Sequence, residues 1–151
     1  SVTGVQTCAL PIYVVGKKLD GATTVAATMH IAHLAGIHVF VTGGIGGVHR
    51  NGHNSLDISA DLITAGRVPV LVVCAGAKSI LDIPRTLEVL ETHGVCVAAY
   101  KTDDFPAFFT PKSGSKAPFR VDSPEEAAQL IHASLTLQTN TGVILGANRR
   151  S

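Results

Sequence analysis

The stretch Val68-Pro-Val-Leu-Val-Val-Cys-Ala-Gly-Ala-Lys78-Ser79 is an almost unbroken apolar run that stops at a small-residue turn and then presents one lysine. β-Branched and apolar residues bounded by Gly read as a strand buried on both faces, with Pro69 tolerated at its start. Such strands belong to open parallel sheets, where ligands bind outside the carboxyl ends. Lys78 therefore stands where chemistry is usually done. At the mouth of an apolar strand it is expected to be partly desolvated, which disfavours the ammonium form and leaves free amine to attack a carbonyl as a Schiff-base nucleophile. The alternative is a solvated lysine that opens the next helix.

Outward from this strand the chain alternates helix and strand. Thr23 or Thr24 can cap a helix to about Ala35, with Val25, Met29, Ile31 and Leu34 as apolar positions and Gly36 at C′. Ile37 to Val41 reads as a strand that runs into Thr42-Gly-Gly-Ile-Gly-Gly-Val-His49-Arg50. After a polar loop, Leu56 to Ala65 reads as a short helix closed by Gly66. A helix from Ser79 or Pro84 to about His93 precedes a strand from Val95 to Tyr100. Ser123-Pro-Glu-Glu126 is a capping box, so Pro124 to about Leu137 is helical, and Gly142 to Leu145 reads as a last strand. Strands separated by helices of this length imply parallel βαβ units, hence an α/β fold with a mostly parallel sheet and helices on both faces. Val39, Phe40, Val41, Leu71, Val72, Val73 and Val97 are then expected in adjacent strands with low exposure. Thr102 to Arg120, rich in Pro, Phe and Lys, is a long irregular excursion of the kind that forms lids or oligomer contacts.

At 151 residues, 46% hydrophobic and with a net charge of +1, the chain has the composition of one soluble α/β domain with a sizeable core. That charge does not suit nucleic acid as a bulk polyanion. No apolar stretch approaches the ~18 residues of a membrane span. Cys74 and Cys96 fall in predicted strands and Cys8 near the start, with no metal-type pairing, which fits a reducing compartment. Residues 1–12 lack a basic n-region, an adequate apolar core and any period that continues beyond them. They are a poor signal peptide and read as a non-native leader or assembly scar, leaving 13–151 as the domain.

Gly44-x-Gly46-x-x-His49 lacks the third glycine of a dinucleotide fingerprint, and no acidic residue ends a following strand at the right distance. Its glycines still allow close approach of backbone to a ligand, and consecutive N–H groups can cradle an anion such as a sugar phosphate. Gly76-Ala-Lys78-Ser79 imitates the end of a P-loop but lacks the upstream glycine, which excludes a nucleoside triphosphatase. His49, His53, Asp57 and Asp61 recur every four residues. With a helix from Leu56, Asp57 and Asp61 would lie one turn apart and could share a cation, and such an oxygen-rich set favours manganese or magnesium over zinc. Alternatively Asp57 is a helix N-terminal acid, Asp61 is solvated, and the histidines are loop residues. His30 and His33 read as ordinary helix residues.

Four segments together resemble the pseudouridine-5'-phosphate glycosidase family: Gly21-Ala-Thr-Thr-Val-Ala-Ala-Thr-Met29, Thr42-Gly-Gly-Ile-Gly-Gly-Val-His-Arg50, Asp57-Ile-Ser-Ala-Asp61, and Val73-Cys-Ala-Gly-Ala-Lys-Ser-Ile-Leu-Asp-Ile-Pro-Arg-Thr-Leu-Glu88. The resemblance runs in order from about Tyr13 to Asn148. It implies that Lys78 is a catalytic Schiff-base lysine and Asp57 the ligand of one Mn2+. By the same resemblance Ser59, Ala60 and Asp61 form a substrate-binding triplet, Val25 binds substrate through its backbone, and His49 lies in the same pocket.

The implied reaction is reversible cleavage of pseudouridine 5'-phosphate to uracil and ribose 5-phosphate, in a cytoplasmic enzyme that is a homotrimer at full length. A C-glycoside offers no leaving oxygen for the usual pair of carboxylates, which is why an amine is wanted. Members of the family are about twice as long, and the glutamate acid/base, the phosphate-contacting lysine and the C-terminal asparagine segment have no match here. The chain is therefore expected to be truncated at both ends and by itself inactive. A non-catalytic sugar-phosphate-binding fragment and an α/β interaction module are the other two classes.

Overall fold

A computed structural model describes residues 10–50, 56–110 and 113–148. Its centre is the predicted apolar run, where β3 (Leu71–Cys74) lies in a sheet with β1 (Val39–Val41), β5 (Cys96–Tyr100), β6 (Phe119–Val121) and β7 (Val143–Gly146). The order is β1-β3-β7-β5-β6 and every neighbouring pair is parallel. The last strand inserts between β3 and β5, pairing Leu71 with Val143 and Cys96 with Val143 on its two sides. That central place explains why all four of its residues are buried.

Helices cover both faces. On one side α2 (Val25–Leu34), α3 (Ala60–Ala65) and α4 (Ile83–Thr92) bury Met29, Leu62 and Leu90 against Val70, Val72, Val97 and Ile144. On the other side α5 (Pro124–Leu137) packs Ala127 and Ile131 on Leu71, Ala98, Val143 and Leu145. The successive residues of β3 and β7 point to opposite faces, so each strand feeds both cores. Two short strands, β2 (Val48–His49) and β4 (Leu81–Asp82), form a separate antiparallel pair beside the carboxyl ends.

Local signals worked as their chemistry requires. Ser123 Oγ accepts from Glu126 N–H (3.1 Å), and the Glu126 carboxylate reaches back to Asp122 N–H (2.7 Å), one residue before the position a capping box usually addresses. Gly36, at φ +72°, ends α2, with Ile37 N–H donating to Ala32 C=O (2.8 Å).

Several expectations are corrected. β1 begins at Val39 rather than Ile37, and it is the edge of the sheet. On the α5 side its Val39 and Val41 are 50% and 71% exposed, because α5 sits over β5, β6 and β7 and does not reach them. The helix expected from Leu56 starts at Ala60: Leu56 has φ +53°, Ile58 bridges to Val48, and Ser59 is the N-cap. α4 starts at Ile83 because Asp82 caps it, accepting from Arg85 N–H (3.1 Å). The long excursion ends in β6, whose Phe119 pairs with Ala98. The described residues open with a helix, α1 (Leu10–Lys17). His53 lies outside the described residues.

Candidate active site

The carboxyl ends of β1 and β3 open into a cleft of about 470 Å³ between the glycine turn, the first turn of α2 and the residues leading into α3. Val25, His49, Asp57, Ser59, Ala60, Asp61 and Lys78 all line it, so residues 53 positions apart in sequence meet in one place. The excursion explains the cleft's location. Phe105 and Pro106 are buried across the ends of β3 and β7, Phe108 N–H donates to Ala75 C=O (2.8 Å), and the Phe108 ring lies against Gly43 and Gly44. Gly76, at φ +90°, is required there because a Cβ would fall on the Pro106 carbonyl. The crevice above the sheet keeps about 180 Å³ beside Val41, Gly43 and Ala75, and the cleft that holds Lys78 lies towards α2.

Asp61 is the organising group. It is only 9% exposed, and its two carboxylate oxygens accept from Ala26 N–H (2.9 Å) and Gly46 N–H (2.8 Å). Thr24 occupies the N-cap position of α2 without a side-chain cap bond. Asp61 supplies that service from another element, placing a negative charge at the positive end of α2. Ser59 holds Asp61 in turn, its Oγ accepting from Asp61 N–H (3.2 Å). Gly46 must be glycine because a methyl there would land on the Ser59 hydroxyl.

This geometry overturns one reading of the spacing. Asp57 precedes the helix, so Asp57 and Asp61 do not share a helical face, and Asp61 is neither solvated nor free to divide a cation with Asp57. Three N–H groups of the glycine turn are already engaged. Ile45 N–H donates to Gly76 C=O, Gly46 N–H to Asp61, and His49 N–H to Asp57 C=O. Its glycines serve close packing against Ser59 and Phe108.

His49 and Asp57 form a loose pair at the cleft's rim, with Nε2 and Oδ2 3.7 Å apart and both side chains half exposed. Among the described residues no group of three His, Cys, Asp or Glu side chains gathers to hold a metal ion. An exposed carboxylate beside one imidazole fits a hard divalent cation that keeps most of its water, and does not fit a closed zinc site. Lys78 follows the buried Ala77, with its N–H on Ile45 C=O (3.3 Å) and its C=O accepting from Leu81 N–H (3.0 Å). Its backbone is fixed on both sides while its side chain is exposed, not half-withdrawn from water as the apolar strand suggested. The strand end opens directly onto the cleft.

Sequence reasoning missed Ala26, which acts through its backbone and has no side-chain signal, and Ile58 and Ile80, which add apolar wall. It also missed Thr86. The signal was present: Ile83, Thr86 and Leu90 form the buried stripe of α4, and a hydroxyl on that stripe needs partners.

The fold defines an α/β protein with a cleft at the carboxyl ends of a parallel sheet, lined by a lysine and a carboxylate–imidazole pair. The chain belongs to the indigoidine synthase A like protein family, whose model matches residues 7–150. It is 60% identical over 131 residues to a pseudouridine-5'-phosphate glycosidase of Arabidopsis thaliana, covering 87% of this chain and 40% of that protein. A second, from Alkaliphilus metalliredigens, is 57% identical over 136 residues, covering 90% and 44%. The chain thus spans less than half the length of these curated relatives. Among solved structures it resembles the prealnumycin C-glycosynthase AlnA in complex with ribulose 5-phosphate (TM-score 0.90, 41% identity, covering 98% of this chain and 49% of that one). An indigoidine synthase A-like protein of Thermotoga maritima superposes with TM-score 0.86 at 35% identity, covering 96% and 48%.

Proposed function

We propose that this chain carries the lysine and metal-binding part of a pseudouridine-5'-phosphate glycosidase active site. The observation that carries the reading is the convergence of Lys78, His49 and Asp57 on one cleft whose walls are clamped by Asp61. The names of the relatives and the sugar phosphate in the AlnA complex support it.

On this reading the Lys78 amine adds at C1′ of the ribose as the ring C–O bond opens, and one amine proton ends on the released ring oxygen. The nitrogen lone pair then forms the C=N bond as the carbon–carbon bond breaks; the bonding pair leaves with the uracil carbon, which takes up the second amine proton. The imine left on Lys78 is hydrolysed by water to ribose 5-phosphate, which regenerates the amine. Val25, at the first turn of α2, and the Ser59–Asp61 triplet position the sugar phosphate, and His49 faces it from the rim. Asp57 would hold Mn2+, which when bound polarises and orders water beside the reacting centre. The reading carries with it a cytoplasmic homotrimer at the length of the relatives.

The test is reductive trapping. In the protein at the length of its relatives, borohydride with ribose 5-phosphate should leave a pentose-phosphate adduct on the peptide containing Lys78, seen by mass spectrometry. Lys78→Arg should abolish it, since a guanidinium keeps the charge but is not deprotonated. An adduct carried only on another lysine would overturn the assignment. Sugar-phosphate binding without any adduct would make this a binding protein.

A further inference from the structure

We infer that Thr86 is a positioning residue that sets where His49 and Lys78 stand relative to each other. Thr86 is completely buried on α4, and its hydroxyl accepts from Val48 N–H (3.0 Å) and donates to Asp82 C=O (2.7 Å). Val48 and Asp82 are partners across the β2–β4 pair, so one hydroxyl ties both strands to the helix beneath them. β2 carries His49, directly after Val48. β4 begins three residues after Lys78, and its Leu81 N–H donates to the Lys78 carbonyl (3.0 Å).

The packing leaves little slack. A Cβ on Gly47 would fall on the Thr86 hydroxyl, so the glycine turn is pressed against this side chain. Only a small residue with one donor and one acceptor satisfies both backbone groups at this depth. Valine would fill the same volume and leave Val48 N–H and Asp82 C=O with no hydroxyl between them. The outer side of β2 is held by the Val48–Ile58 bridge and by His49 N–H on Asp57 C=O, but at the helix side the Thr86 hydroxyl joins Val48 to Asp82, and its loss lets the two short strands shift His49 against Lys78. Misplacement of this order is felt in reaction rate more than in binding.

The inference rests on Lys78 as the reacting amine, so one arm of the test is independent of it. In the 151-residue chain, Thr86→Val should speed amide hydrogen exchange at Val48 and His49 by about tenfold while Val72 and Val97 in the sheet stay unchanged. Thr86→Ser, which keeps the hydroxyl, should restore protection. At the length of the relatives, with saturating ribose 5-phosphate and borohydride, Thr86→Val should slow adduct formation at Lys78 by about tenfold, leave sugar-phosphate affinity within about threefold, and be rescued by serine. Should Thr86→Val not fold, Thr86→Cys, a weak donor and acceptor, takes its place with the same expected pattern. Unchanged exchange at Val48, a serine variant as impaired as valine, or faster exchange with unaltered trapping overturns the proposal. A parent protein of the relatives' length that forms no adduct overturns the Lys78 reading instead, and the exchange arm then decides Thr86.

Discussion

Asp61 shows how one buried carboxylate can hold three segments together. Its oxygens join α2 and the glycine turn, and its backbone N–H is held by Ser59. Asn has a single carbonyl acceptor, so Asp61→Asn turns an N–H donor towards either Ala26 or Gly46 and leaves one buried amide without an acceptor. The expected loss is ~2 kcal/mol in urea denaturation, within the range for an unsatisfied buried donor. Faster exchange of the Ala26 or Gly46 amide should accompany it, and a loss of less than ~0.5 kcal/mol would show that the clamp carries no load.

Cys74 makes the opposite use of burial. Desolvation pushes its thiol from the ordinary 9.0 to about 12, only partly offset by the Gly76 backbone. The unfolded chain loses this proton near the ordinary value and the folded chain keeps it, so the folded state binds more protons in between. Stability is therefore complete below about pH 9 and falls as pH rises towards 12. The drop in urea midpoint between about pH 8 and about pH 10.5 should be smaller in Cys74→Ala than in the parent. In the folded chain Cys74 should also react with iodoacetamide more slowly than Cys96, whose thiol is raised by partial burial.

At the scale of elements, the excursion between β5 and β6 is irregular and largely exposed, yet it carries a buried run, Phe105 to Ala107. Phe105 is completely buried, its N–H donates to Ser115 C=O (2.9 Å), and Ala117 N–H donates to Asp103 C=O (2.8 Å). The segment is thereby closed on itself and pressed onto both glycine turns. Phe105→Ala should cost ~3–5 kcal/mol, as for other buried aromatics cut back to alanine. Tryptic cleavage after Lys116 should accelerate with it, because the aromatic anchor holds that arm down. Unchanged proteolysis at Lys116 would show that the backbone bonds alone suffice. The short pair β2–β4 shows the reverse arrangement: strands too brief to be stable alone depend on α4 beneath them.

At the scale of the whole molecule, the repeating unit was readable because it is local chemistry. Apolar β-branched runs at strand length, Gly36 at a C′ position and Ser123 with Glu126 at a helix start each declare an element within a few residues. A parallel α/β sheet with helices on both faces follows from their alternation, and the residues that line the cleft were named from motifs. What sequence could not declare depends on which elements become neighbours. Strand order is one case: β7 is the last strand in the chain and the middle one in the sheet, so nothing local marks it as the most buried. The exposure of Val39 and Val41 is another, since their composition matches that of β3 and only the reach of α5 separates the two. The same holds at the site. The four-residue spacing of Asp57 and Asp61 suggested one helical face, but Ser59 starts the helix between them, and Asp61 is turned inward by amides 15 and 35 residues away. Spacing in sequence determines which residues can lie one turn apart; whether they do is decided by hydrogen bonds between segments that meet only after the sheet has formed.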